Sequence, residues 1–157
     1  MKIPFHIELA DIPNKGKGIV AKKYIKKNTT VLKFDEGITI RPNSTASSTA
    51  IQIDEDTFLD SKPTQIRDFL NHSCEPNIKI DFDEMGAIAI HDIKQSEEIT
   101  FCYNTTEYDL AVKNEEFQCF CNSKECIGTI KGFLHLKKEH QKKLGSLLSP
   151  FLLRKSH

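Results

Sequence analysis

The chain has no tryptophan and only two methionines. Any broad aromatic face it offers a ligand must therefore come from its ten phenylalanines or three tyrosines. It has no apolar run approaching the ~18 residues of a membrane-spanning helix, so no membrane partner is expected. The opening residues Met1-Lys2-Ile3-Pro4-Phe5-His6 lack the apolar stretch of a secretory leader, and none is expected. An excess of either charge is also missing: Lys+Arg and Asp+Glu are both 22. Direct nucleic-acid binding is therefore not indicated. The lysine runs (Lys22, Lys23, Lys26, Lys27; Lys137, Lys138, Lys142, Lys143) read as solvated faces. Nor are the cysteines even in number. Cys74, Cys102, Cys119, Cys121 and Cys126 make five, which argues against a closed disulfide framework. Free thiols fit a reducing setting, so the expected location is cytoplasmic, with a nucleus or another organism's cell also open. Nothing in the sequence speaks to the oligomeric state.

What is present is enough chain, 157 residues, for one domain with a real core. Ile3, Phe5, Ile7 and Leu9 alternate with polar residues, as in a half-buried strand. Asp11 to Lys17 reads as a loop, and Gly18 to Ala21, Val31 to Phe34 and Ile38 to Ile40 as short strands, the last ended by Pro42. Ile51 and Ile53 alternate, and Thr57-Phe58-Leu59 follows. Pro63 suits the first turn of a short helix over Thr64 to Leu70. Asn77 to Phe82 and Ala87 to His91 predict a hairpin, and Ile99 to Tyr103 another strand. Many short strands between turns give a mostly β protein of several small sheets with short helices. Leu136 to Leu148 reads as a C-terminal helix weakened by Gly145 and limited by Pro150.

Two stretches carry chemistry. Cys119-Phe120-Cys121-Asn122-Ser123-Lys124-Glu125-Cys126 has the spacing C-x-C-x4-C. Three thiols this close suit a structural zinc ion, which takes four ligands in a tetrahedron. The fourth is open among Cys74, Cys102 and the histidines. Reduced thiols without metal, or a redox pair, are the alternatives. The second stretch is Asn71-His72-Ser73-Cys74-Glu75-Pro76-Asn77. A polar turn explains its Asn, Ser and Pro but not the His and Cys within it.

This N-H-S-C-x-P-N run, with Gly16-Lys17-Gly18 upstream, Glu98-Ile99-Thr100-Phe101-Cys102-Tyr103 downstream and the cysteine cluster beyond, resembles the SET domain family of protein lysine methyltransferases. The resemblance runs from about Lys15 to Phe133. It implies a SET-like fold over residues 1–108, a zinc-binding post-SET segment over 109–134 and a C-terminal helix or tail over 135–157. It implies S-adenosylmethionine as cofactor, approached by Gly16, Lys17 and Gly18, held by Asn71 and His72, and covered by aromatics of the tail, Phe117 and Phe133 first and Phe120 beside them. Lys17 is left facing either the cofactor carboxylate or solvent. Ordinary core packing is the other reading of each phenylalanine. Zinc would be held by Cys74, Cys119, Cys121 and Cys126, leaving Cys102 unpaired. Tyr103 takes the catalytic position and Phe101 the lysine channel, where a phenylalanine implies di- or trimethylation. The partner is a protein or peptide bearing lysine.

The chain departs from the family pattern at Cys102, where Asp is usual, and at Asp68, where Arg is usual and Arg67 stands one residue earlier. A catalytically silent binding module of the same fold is the competing function. A cysteine hydrolase using His72 and Cys74 is disfavoured, because nucleophile and base normally come from separated segments. A zinc-finger DNA reader lacks both the charge and the Cys2His2 spacing.

Overall fold

A computed structural model describes residues 1–156 as twelve short strands in four small sheets, with 3-10 turns and two short C-terminal helices. The strands are β1 (Ile7–Ile12), β2 (Gly16–Ala21), β3 (Thr30–Lys33), β4 (Ile38–Arg41), β5 (Ile51–Asp54), β6 (Thr57–Ser61), β7 (Asn71–His72), β8 (Ile78–Asp81), β9 (Gly86–Ala89), β10 (Glu98–Phe101), β11 (Phe117–Gln118) and β12 (Thr129–Ile130). Their order is β1-β2-β10-β7 in one sheet, β3-β9-β8 and β4-β6-β5 in two others, and β11-β12 in the tail. The expected mostly β architecture of small sheets is thus present. No described helix is long and apolar enough to cross a membrane.

The first strand begins later than the alternation suggests. The Ile7 amide donates to the Pro4 carbonyl, closing a turn. That turn leaves Ile3 and Phe5 41% and 76% exposed. From Ile7 the strand pairs with β2 through Ile12↔Gly16, so most of the expected Asp11–Lys17 loop is hairpin. The turn is confined to Pro13–Lys15, with Asn14 and Gly16 at positive φ. The expected helix over Thr64 to Leu70 is a single 3-10 turn, Ile66–Phe69. Its first amide, Gln65 N–H, donates to the Asp68 carboxylate at 2.8 Å.

One apolar core unites the three larger sheets: Ile7, Ile19 and Ile99 from the first, Val31, Leu32, Ile78, Ile80 and Ala87 from the second, and Ile51 and Leu59 from the third all contribute buried side chains. The single C-terminal helix expected over Leu136 to Leu148 is instead two, α1 (Lys138–Leu144) and α2 (Pro150–Lys155), joined by a 3-10 turn. Pro150 opens α2 rather than closing α1. It sits in the first turn, where its missing N–H costs nothing, and Ser149 Oγ accepts from the Leu152 amide as the cap. The helix pair packs through Leu148, Phe151 and Leu152 onto Phe133 and Tyr108. His157, at the end of the expected 135–157 tail, lies outside the described residues.

Candidate active site

The site exists because two short strands meet in parallel. β10 pairs with β7 so that Thr100 lies beside Asn71 and Phe101 beside His72. The Asn77 side chain locks this register, donating to the Glu98 carbonyl and accepting from the Thr100 amide at 3.0 Å. The polar turn is therefore a structural clasp as well as a source of site residues. β10 ends at Phe101, two residues before the expected end, and Tyr103 opens a 3-10 turn, Tyr103–Thr105. Cys102 stays extended between them, so the Phe101 and Tyr103 rings still meet, with centroids 4.7 Å apart.

His72 ties this junction to the cysteines. Its Nδ1 accepts from the Tyr103 backbone amide at 3.0 Å, which assigns the proton to Nε2. Nε2 faces Cys74 Sγ at 3.3 Å and donates to it. Burial, with Lys15 nearby, pushes the His72 pKa down to about 3, so the ring is neutral. Cys74, Cys119, Cys121 and Cys126 have their sulfurs within 4.8 Å of one another. Cys74 and Cys119 are 3.9 Å apart. Sulfurs around a tetrahedral zinc stand about 3.8 Å apart, so these four residues fit the ion and could hold it. Cys102 is buried outside the group, at 4% exposure. Of the fourth ligands open to the C-x-C-x4-C cluster, geometry thus selects Cys74.

Two cavities flank Tyr103 and Phe117, which line both. One, of about 390 Å³, is a groove bordered by Asn14, Lys15, Asn71, His72 and Phe120. Asn71 Nδ2 donates to the Lys17 carbonyl and to Glu98 Oε1, while Oδ1 has no partner among the described residues and remains an acceptor for a ligand. Lys15 Nζ pairs with Glu98 Oε2 at 2.7 Å and lies 3.4 Å from the His72 carbonyl. Phe120 is 46% exposed beside Phe117, an apolar face that a flat base can cover. The other cavity, of about 240 Å³, is walled by Phe101, Leu70, Glu107, Leu110, Glu115 and the Ser48–Ile51 segment.

The Tyr103 hydroxyl donates to the Leu70 carbonyl at 2.8 Å. Burial pushes its pKa upward, with Glu107 and Glu98 adding to the effect. At neutral pH it is a hydroxyl, which serves as a fixed dipole rather than a base.

The side chains of two expected site residues, Lys17 and Phe133, turn away from the groove. Lys17 is on the opposite face of β2 from the glycines, because side chains alternate along a strand. Its ammonium pairs with Asp11 at 2.9 Å on the surface. Gly18 packs closely against the groove residue Asn71: a Cβ there would stand 2.7 Å from Asn71 Nδ2 and 2.6 Å from Ile12. Gly16, at φ +78° with open space around it, serves the turn. Phe133 is 2% exposed in the C-terminal cluster and is a core residue, not part of the groove. Lys15 and Glu107 line these cavities and are candidates that sequence reasoning missed. Lys15 reads as a turn residue, and Glu107 as one more charge after Tyr103. At the second departure, Arg67 lies 3.6 Å from Asp68 and donates to the Leu59 carbonyl.

These features define a class. The chain belongs to the SET domain family, which it matches over residues 16–104. It is 39% identical over 84 residues to the variant-silencing SET domain-containing protein of Plasmodium falciparum (isolate 3D7), covering 49% of this chain and 3% of that protein. It is 37% identical over 70 residues to the H3 lysine-36 specific histone-lysine N-methyltransferase of Mycosarcoma maydis, covering 41% of this chain and 7% of that protein. The chain thus spans a small fraction of the length of these relatives. Its fold resembles that of KRYPTONITE in complex with mCHH DNA, H3(1-15) peptide and SAH, with TM-score 0.61 and 20% identity over 82% of this chain and 30% of that one.

Proposed function

We propose that this protein is a lysine N-methyltransferase that moves a methyl group from S-adenosylmethionine to a lysine side chain of a protein or peptide. The observation that carries this reading is the pair of cavities sharing Tyr103 and Phe117 as a common wall. Such a pair keeps two reactants in separate entrances and lets them meet at one point. The relatives named as histone-lysine methyltransferases and the SAH in the KRYPTONITE structure support it.

The groove at Asn71 and His72 takes the cofactor. Asn71 Oδ1 can accept from its amino group, and Phe117 and Phe120 can cover its base. When bound, S-adenosylmethionine supplies the electrophilic methyl group. The cavity at Phe101 takes the lysine side chain. That amine must lose its proton before it can act, although free lysine has a pKa near ~10.4. Burial beside apolar walls disfavours the ammonium. What the chain then contributes is alignment, which recovers much of the barrier. Tyr103, pinned to Leu70 and edged by His72 and Phe117, supplies the fixed hydroxyl at the junction.

Residues 109–134 act as the post-SET segment, with zinc on Cys74, Cys119, Cys121 and Cys126 holding the tail against the groove. The histone substrates in the relatives' names favour a nuclear rather than a generally cytoplasmic site of action. The test is methylation of a peptide array with labelled S-adenosylmethionine. Transfer to lysine is the expected result. Cofactor binding without transfer to any lysine would instead favour the silent binding module.

A further inference from the structure

The amine cavity contains a carboxylate that neither the fold nor methyl transfer uses fully. Glu107 is 7% exposed and lines the cavity with Tyr103 and Phe101. Its Oε1 accepts from the Gln52 amide at 3.0 Å and from Thr106 Oγ1 at 3.1 Å. Among the described residues its Oε2 has no hydrogen-bond partner and is not one of the fully buried unpartnered atoms, so it opens to the cavity. The neighbouring cations are engaged elsewhere: Arg67 lies 3.6 Å from Asp68, and Lys113 lies 3.6 Å from Glu115. Glu107 forms no ion pair among the described residues. One oxygen is fixed to the scaffold and the other is free in a cavity sized for an alkyl amine.

We propose that Glu107 is the ammonium-receiving group of this cavity, binding the substrate's charged amine through Oε2 and accepting its proton. The step is balanced: one N–H bond breaks, one O–H bond forms on Oε2, and the nitrogen lone pair is freed. The proton leaves to solvent after the product departs. The inference rests on the assignment of this cavity to the amine. Several groups bear on the carboxylate: Lys113 and Glu115 from the segment before β11, Arg67 and Asp68 from the 3-10 turn before β7, and Tyr103 beside it. Burial pushes its pKa up to about 7, against the Gln52 amide, Lys113 and Thr106, which pull it down. A carboxylate tuned there can hold a proton briefly at neutral pH. Tyr103 cannot take this part, because its own ionisation is displaced upward.

Glu107→Gln separates the two roles. Its amide oxygen can still accept from Gln52 N–H, while the oxygen that faces the cavity is replaced by an amide NH2, a donor. Two measurements test the proposal. In steady-state methylation of a lysine peptide, kcat/KM of E107Q should fall roughly ten- to hundredfold, and the wild-type inflection near pH 7 should vanish. In an NMR titration with n-butylammonium chloride, sodium chloride serving as the control, the Gln52 amide signal should shift saturably in the wild type and not in E107Q. Should E107Q fail to fold, the wild-type titration decides: uptake must weaken as pH falls from ~8 to ~6. An unchanged inflection in E107Q, equal uptake by both proteins, or pH-independent uptake overturns the proposal. A wild type that takes up n-butylammonium through Glu107 yet methylates nothing counts against the methyltransferase reading instead.

Discussion

Tyr103 is held by its hydroxyl to Leu70 and by its backbone amide to His72, so neither end is free to drift. Removing the hydroxyl leaves the Leu70 carbonyl without that donor, which costs about 1 kcal/mol of stability. Tyr103→Phe should therefore fold and bind cofactor while turnover drops about 100-fold or more. Near-normal turnover on the same peptide would remove Tyr103 from the site's chemistry. Phe101 presents a different choice. Its ring is 6% exposed and sits 4.7 Å from the Tyr103 ring, in the wall of the cavity proposed for the amine. A hydroxyl added there would occupy space in which a methylated nitrogen turns. Phe101→Tyr should shift the product toward monomethyl-lysine, read by mass spectrometry of the peptide with cofactor in excess. An unmoved distribution would mean that Phe101 only packs.

At the scale of elements, the tail has short strand pairing of its own. β11 and β12 pair over only two residues each, Phe117↔Ile130 and Gln118↔Thr129. Their buried support is Leu110, Cys119 and Ile130. Two such strands are marginal alone, so thiolate ligation would supply much of their ordering energy. Chelation should release about one zinc per chain and leave the tail exchange-labile. Cys74→Ser should reproduce this loss, whereas Cys102→Ser should keep the metal, since Cys102 is outside the sulfur cluster. Metal analysis showing equal loss in both variants would contradict the ligand set. At α2, Ser149→Ala removes the cap and should cost about 1 kcal/mol, visible as a lower thermal midpoint.

At the scale of the whole molecule, Glu107 also links pH to stability. Its folded pKa lies near 7, above the ordinary 4.5, because burial disfavours the carboxylate. The stability it contributes is present below pH 4.5 and is lost as pH rises toward 7. The full swing is on the order of 3 kcal/mol. E107Q has no such group to titrate, so its stability relative to wild type should rise across that window. Denaturant unfolding of both proteins at the two ends of it checks the sign. A relative stability that falls with rising pH would mean the carboxylate gains a cation partner on folding.

The sequence alone determined what is local or compositional. Short alternating runs mark the strands of β4, β5 and β8, because a period of two is set by the pleat itself. The thiol spacing pointed to a candidate metal site, because few other chemistries need three sulfurs in eight residues. The His and Cys of the N-H-S-C turn stood out because a polar turn does not need them, whereas Tyr103 and Cys74 as particular site residues came only with the family resemblance. Only the tertiary structure decided what depends on two segments meeting. The β10–β7 pairing turned Asn71, His72 and Tyr103 into one site. Strand alternation took Lys17 out of the groove, and the hairpin turn put Lys15 into it instead. Phe133 became core because α2 packs on it. Glu107 gained its meaning from burial against β5, fifty-five residues upstream. A charge shows its sign in the sequence, but whether water surrounds it depends on what folds over it, and that decides its chemistry.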